Sequence, residues 1–238
     1  MTGRFEGKVV LVAGGTGGLG RAVALAFLQE SATVIVTYRS QSELSVLRNA
    51  AGKYASSLSS YSSDVTDPKV VSALVEEIRV KHKRIDVLVN AVGAYAGGIR
   101  LWETDPDIVE QMLALNLRSG FILCRAVVPR MLKEKRGVIV NVASQAAVDH
   151  TAGASAYAAS KAAAVAMIDC LAADLKGSGV RANSVLPSII DTEANRKAIP
   201  NADYSKWPKP KEIADVILFL CSDEAKLVHG AAIPVYGN

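Results

Sequence analysis

Short apolar runs alternate with longer amphipathic stretches along the whole chain. Val9–Ala13, Thr33–Thr37, Ile85–Asn90, Val138–Val142, Arg181–Leu186 and Ala232–Val235 are strand-sized and rich in Val and Ile, as strands buried on both faces should be. Between them the apolar positions recur with helical spacing. Arg21–Gln29 puts Val23 and Phe27 on one face, and Asp67–Lys81 groups Val71, Leu74, Val75 and Ile78 behind an Asp-Pro helix start. Pro106–Lys133, Ala154–Leu175 and Lys211–Cys221 follow the same rule. Strand–helix alternation of this kind predicts right-handed crossovers and an α/β fold, a doubly wound, Rossmann-like parallel sheet covered on both faces. The least regular stretch is Ser188–Pro210, with three prolines among polar residues. After a late strand, such a segment reads as a lid over the crevice at the strands' carboxyl ends.

The chain has 238 residues, about half of them apolar and 21% charged, with net charge +4. That excludes a disordered chain. With no repeat, low-complexity tract or linker, residues 1–238 read as one domain. The longest unbroken apolar runs are far shorter than the ~20 residues a bilayer needs, so no membrane span is expected. The opening MTGRFEGK carries charges where a secretory signal would be apolar, which predicts a cytoplasmic protein. Cys124, Cys170 and Cys221 are far apart in apolar stretches and read as core residues, with neither a disulfide framework nor a metal site. Basic residues are scattered apart from Lys81–Arg84 at a helix end, a pattern that does not predict nucleic-acid binding.

Candidate chemistry begins where the first strand runs into Gly14-Gly15-Thr16-Gly17-Gly18-Leu19-Gly20 and then a helix. Backbone N–H groups can approach a phosphate there only if no side chain stands at Gly14 or Gly18, and Gly20 allows the helix to pack on the strand. Strand, glycines and helix together predict a dinucleotide site. The second strand should end beside the adenosine ribose, where a carboxylate selects NAD by accepting from the ribose hydroxyls. No acid occurs from Thr33 to Gln41; Tyr38 and Arg39 stand there instead, with Ser40, Ser42 and Thr16 as hydroxyl donors. A guanidinium suits the 2′-phosphate, so NADP(H) is expected over NAD(H). The alternative is that Arg39 is a surface arginine.

Tyr157 and Lys161 lie four residues apart in SAYAASKAA, one turn apart on one helix face. A free phenol titrates near ~10, and a neighbouring ammonium favours the phenolate. Tyr157 could then exchange a proton with a carbonyl or alcohol oxygen. Ser144 ends a strand 13 positions earlier, either as a turn residue or as a substrate contact. Asn116, alone in an apolar helix, is either a buried amide satisfied by backbone or part of the same constellation.

In its glycine spacing and in the order Asn116, Ser144, Tyr157, Lys161, the chain resembles the short-chain dehydrogenase/reductase family. The family's Thr before the first glycine is Ala13 here, and its Asn-Asn-Ala-Gly appears as Asn90-Ala91-Val92-Gly93. The resemblance implies that Ser144 bonds the substrate oxygen, that Asn116 joins a water relay to Lys161, and that Thr192 meets the nicotinamide carboxamide. Asp64, Val65, Asn90, Gly93, Pro187 and Ile190 complete the implied cofactor contacts. It further implies a small carbonyl or alcohol substrate, and a homodimer or homotetramer built on the two long helices. The lid from Leu186 to Trp207 and the run Ala96-Gly97-Gly98 resemble dihydropteridine reductases, which leaves pterin reduction as a second possibility and a noncatalytic NADP sensor as a third. His150, on the loop after Ser144, and Arg196, in the lid, are each open between a substrate contact and a surface role.

Overall fold

The structure, a computed structural model, describes residues 3–237; Met1 and Thr2 of the opening segment lie outside it. Seven parallel strands form one sheet in the order β3-β2-β1-β4-β5-β6-β7. They are β1 (Val9–Ala13), β2 (Thr33–Tyr38), β3 (Leu58–Ser62), β4 (Val87–Asn90), β5 (Gly137–Val142), β6 (Val180–Pro187) and β7 (Ala232–Val235). The helices are α1 (Gly18–Gln29), α2 (Gln41–Ala51), α3 (Pro68–His82), α4 (Pro106–Leu113), α5 (Ser119–Glu134), α6 (Ser155–Asp174), α7 (Glu193–Ala198) and α8 (Pro210–Cys221).

Two apolar cores sandwich the sheet, and β1 shows how. Val10 and Val12 join Phe27, Leu47 and Ile217 on one side, while Val9, Leu11 and Ala13 join Val71, Leu123 and Ile168 on the other. Both faces of a parallel sheet are thereby dry, which explains the near-continuous apolar runs. The order of strands reverses between β1 and β4, and a crevice opens beyond the carboxyl ends at that point.

Three elements escape the hydrophobic pattern. β3 reads Leu-Ser-Ser-Tyr-Ser; as an edge strand it needs no apolar alternation. The α2 helix shows only Leu44, Leu47 and Ala51 to the core, and α7 buries no residue. The single helix expected over Pro106–Lys133 is interrupted by a π-helical turn at Ala114–Arg118. One cysteine expectation needs correcting: Cys124 and Cys221 are buried, but Cys170 is exposed on the outer face of α6. The continuous helical stretches 106–134 and 155–174 are long and apolar enough, by length and composition alone, to cross a membrane. Their inner faces pack on the sheet through Leu123, Val127, Ile168 and Ala172.

Candidate active site

After β1 the chain turns at Gly14, whose φ of +72° lies in the left-handed region that glycine tolerates. A Cβ there would stand 3.1 Å from the Ala91 carbonyl, so the turns after β1 and β4 close on one another. The Gly14 N–H donates to Thr37 Oγ1 at 2.9 Å; β2 thus supplies a hydroxyl that Ala13 cannot. Gly20 packs its backbone directly on the turn, where a Cβ would strike the Gly14 carbonyl. A Cβ on Gly18 would meet Thr192 Cγ2 at 2.7 Å, which places the lid threonine over the turn. The first turn of α1 has no side-chain cap. Uncapped N–H groups with no Cβ in the way are what a pyrophosphate requires, and the turn fits a dinucleotide. Leu19 and Val65 turn their side chains into the two cores, leaving only main chain for a ligand.

The ribose corner differs from its expected form. Tyr38 and Arg39 stand at the end of β2, with Arg39 exposed. Ser40, expected as a phosphate donor, is the N-cap of α2: its Oγ accepts from the Glu43 N–H at 3.4 Å and lies 2.8 Å from Ser42 Oγ. Thr16 is almost fully buried and donates its hydroxyl proton to Glu43 Oε2 at 3.0 Å. Glu43 lies beyond the end of β2 where an acid is expected, and its contact with the glycine turn depends on how α2 docks. Hydrogen bonds from the Thr66 side chain and backbone, with a smaller pull from the Arg39 charge, hold the Asp64 carboxyl below its ordinary value.

The expected catalytic residues come together beside the β4 turn. Asn90 anchors that turn, donating to Asn141 Oδ1 at 2.9 Å and accepting from the Val92 N–H at 3.3 Å. Asn116 projects from the π-helical turn as a buried amide satisfied mainly by backbone. Its Oδ1 accepts from the Ala94 N–H at 2.9 Å, and its Nδ2 donates to the Ala94 carbonyl at 3.0 Å and to Ser160 Oγ at 2.9 Å. It therefore clamps the loop after β4 to α6. Gly93 lies so close that a Cβ would be 2.8 Å from Asn116 Oδ1 and 3.0 Å from Lys161 Nζ. Any side chain there would have to displace one of them.

Tyr157 and Lys161 occupy the first two turns of α6 as expected. Lys161 is buried, donates to the Val142 carbonyl at 3.1 Å and has its pKa pushed down to about 8 by desolvation. Its Nζ is 6.0 Å from the Tyr157 ring centroid. The expected lowering of the Tyr157 pKa does not emerge. Burial raises it, the Ser144 hydroxyl beside it pulls partly back, and Tyr95 adds a small upward push. The Lys161 ammonium, turned to the Val142 carbonyl, is not among the causes of the shift. Ser144 ends β5 and accepts from the Ala146 N–H at 3.2 Å. Tyr95 packs edge-on against Tyr157, with centroids 4.9 Å apart.

In the lid, Thr192 caps α7 by accepting from the Asn195 N–H at 3.2 Å. Arg196 is no free anion receptor. It grips Asp191 through two bonds of 2.5 and 2.8 Å and lies over the Tyr204 ring at 4.7 Å. His150 is exposed on the loop after Ser144, near Trp102 across a shallow depression. Pro187 is buried at the end of β6, paired with Val235, and Ile190 packs against the core beneath α1.

A glycine turn at the switch point of a doubly wound sheet, with a tyrosine and a buried lysine on the facing helix, defines an NAD(P)-dependent oxidoreductase of the α/β class. The profile of the short chain dehydrogenases matches residues 8–203, and the chain belongs to that family. It is 37% identical, over 99% of this chain and 98% of the relative, to 3-oxoacyl-[acyl-carrier-protein] reductase FabG of Thermotoga maritima. It is 34% identical to D-threitol dehydrogenase of Mycolicibacterium smegmatis, over 99% and 94% of the two chains. Among solved structures, ElxO with NADP bound superimposes with a TM-score of 0.91 at 27% identity, covering 97% of each chain.

Proposed function

We propose that the protein is an NADP(H)-preferring oxidoreductase that interconverts a small carbonyl compound and its secondary alcohol, with Tyr157 as general acid and base. The nicotinamide, when bound, gives or takes the hydride. What the chain contributes is position and proton control. The Ser144 hydroxyl lies beside the phenol, so one substrate oxygen can accept from both. Lys161 stands behind Tyr157 with no carboxylate partner among the described residues, and its ammonium is available to steady a developing phenolate. Asn116 holds the loop after β4 against α6, the helix that carries Tyr157 and Lys161. The observation that carries the reading is that Asn116 and Lys161 both flank Gly93 beside Tyr157 and Ser144.

The NADP(H) preference rests on Arg39 and on the lack of an acid from Thr33 to Gln41. NADPH should exceed NADH in kcat/KM by tenfold or more, about 1.4 kcal/mol. The same reading makes the protein a cytoplasmic homodimer or homotetramer joined through its long helices. The test is nicotinamide absorbance across ketones, aldehydes, β-ketoacyl thioesters and a quinonoid pterin, for wild type and Tyr157→Phe. The Phe variant should lose about 10²–10⁴ in kcat on the best substrate, the range of a general acid, while still binding NADPH. Retention of more than a tenth of kcat removes Tyr157 from the proton step.

A further inference from the structure

We infer that Glu43 is a second cofactor-selecting residue, acting against Arg39: its carboxylate disfavours a 2′-phosphate on the adenosine ribose and accepts from a 2′-hydroxyl. This rests on the dinucleotide reading of the glycine turn. The bond from Thr16 to Glu43 joins that turn to the first turn of α2. It therefore spans the corner between the glycines and the end of β2, where the adenosine ribose of a dinucleotide lies.

Charge and proton count both matter in that corner. Thr16 has one hydroxyl proton, and Glu43 Oε2 takes it at 3.0 Å. A phosphate brings acceptor oxygens and close to two negative charges, so it finds neither a free proton on Thr16 nor a neutral neighbour. A 2′-hydroxyl brings its own proton, and Glu43 Oε1 has no other partner among the described residues. A helix-end role alone does not explain the geometry. An acid in the first turn of α2 does suit the helix dipole, yet Ser40 already caps that turn. The Glu43 side chain instead crosses to a residue 27 positions earlier. Tyr38 leaves the end of β2 without its acid, and Glu43 puts one back from the next element. Cofactor choice is then set by a cation and an anion that oppose one another across one ribose.

The test is equilibrium binding, by titration calorimetry, of 2′,5′-ADP and 5′-ADP and of NADPH and NADH, to wild type, Glu43→Gln and Glu43→Ala. Both variants should tighten 2′,5′-ADP relative to 5′-ADP by about tenfold, and the NADPH:NADH ratio should follow. Thermal melts check that α2 is intact. A ratio unchanged within twofold in both variants overturns the inference. So does an equal loss of affinity for both members of each pair, since Glu43 would then only be shaping the turn. The NADP(H) reading is judged separately, on the wild-type ratio and on Arg39→Ala. A wild type that favours NADH sinks that reading, while the shift in Glu43→Gln still decides this one.

Discussion

At the amino edge of the sheet, Asp86 is 6% exposed; at the carboxyl edge, Lys161 is 5% exposed. The two buried charges are handled in opposite ways. Asp86 accepts from the Val9 N–H at 2.8 Å and from Arg84 Nε at 2.9 Å, with Arg136 Nε 3.7 Å away. Lys161 has one carbonyl and no carboxylate among the described residues. A buried charge held by hydrogen bonds and a counter-ion ties structure together, and its loss unpicks local structure. A buried charge without them carries an uncompensated desolvation cost and stays responsive to whatever enters beside it. The first arrangement ties β1 and β4 together; the second stands beside Tyr157 in the candidate active site.

Several changes would break or sharpen this contrast, and the largest effect should come from Lys161→Met. We expect a loss of about 10²–10⁴ in kcat, comparable to removal of the acid itself, with the fold retained. Steady-state kinetics beside a thermal melt separates the two, and a variant that fails to fold would make Lys161 structural like Asp86. Next, Ser144→Ala should cost about 10²–10³ in kcat on a carbonyl substrate, the usual cost of one oxyanion donor, and leave cofactor affinity alone. Slight loss on the best substrate would favour the pterin reading over a simple ketone.

At the other edge, Asp86→Ala should lower stability by about 2 kcal/mol, the scale of losing hydrogen bonds to a charged group, with kcat unchanged in the folded fraction. Urea titration measures it, and a loss of activity greater than the loss of folded protein would contradict the contrast.

The smallest effect is a pH dependence. The Lys161 pKa is about 8 in the folded state against 10.5 ordinarily, so the unfolded chain holds more protons between those values. Stability from this group therefore rises with pH from about 8 upward, because the cost of burying the ammonium is relieved. The buried thiols of Cys124 and Cys221, pushed up to about 12 from 9.0, oppose the rise once the unfolded thiols ionise. Both thiols are present in Lys161→Met as well and cancel in the comparison, so the unfolding free energy of wild type should rise relative to that of the variant between about pH 8 and 10.5. A difference independent of pH would mean that Lys161 is not depressed.

Much of the site was legible because its parts are local. The glycine turn needs a strand, small residues and a helix in sequence, and Tyr157 and Lys161 need only four-residue helical spacing. The strands buried on both faces announce themselves for the same reason: six apolar runs coincide with six of the seven strands, to within two residues at either end. Where burial is weak the signal fails. β3 at the sheet edge and α7 in the lid carry little apolar surface, so no periodicity betrays them. The π-helical turn under Asn116 is invisible as well, since a one-residue expansion leaves the apolar spacing of the long helix almost unchanged.

The sequence by itself determined the parallel sheet, the crevice and the residue types that line it, because period, glycine placement and helical spacing act over a few residues. Tertiary structure alone decided which partners those residues take. Asn116 became a clamp on Ala94, Arg196 was claimed by Asp191, and Ser40 was drawn into capping a helix. The Tyr157 pKa rose where an adjacent ammonium argued for a fall, because burial is a property of the whole packed molecule. Glu43 reached Thr16 only through the docking of α2 on the glycine turn. Hydrogen-bond commitment and desolvation depend on atoms brought together from distant parts of the chain, and no local pattern encodes them.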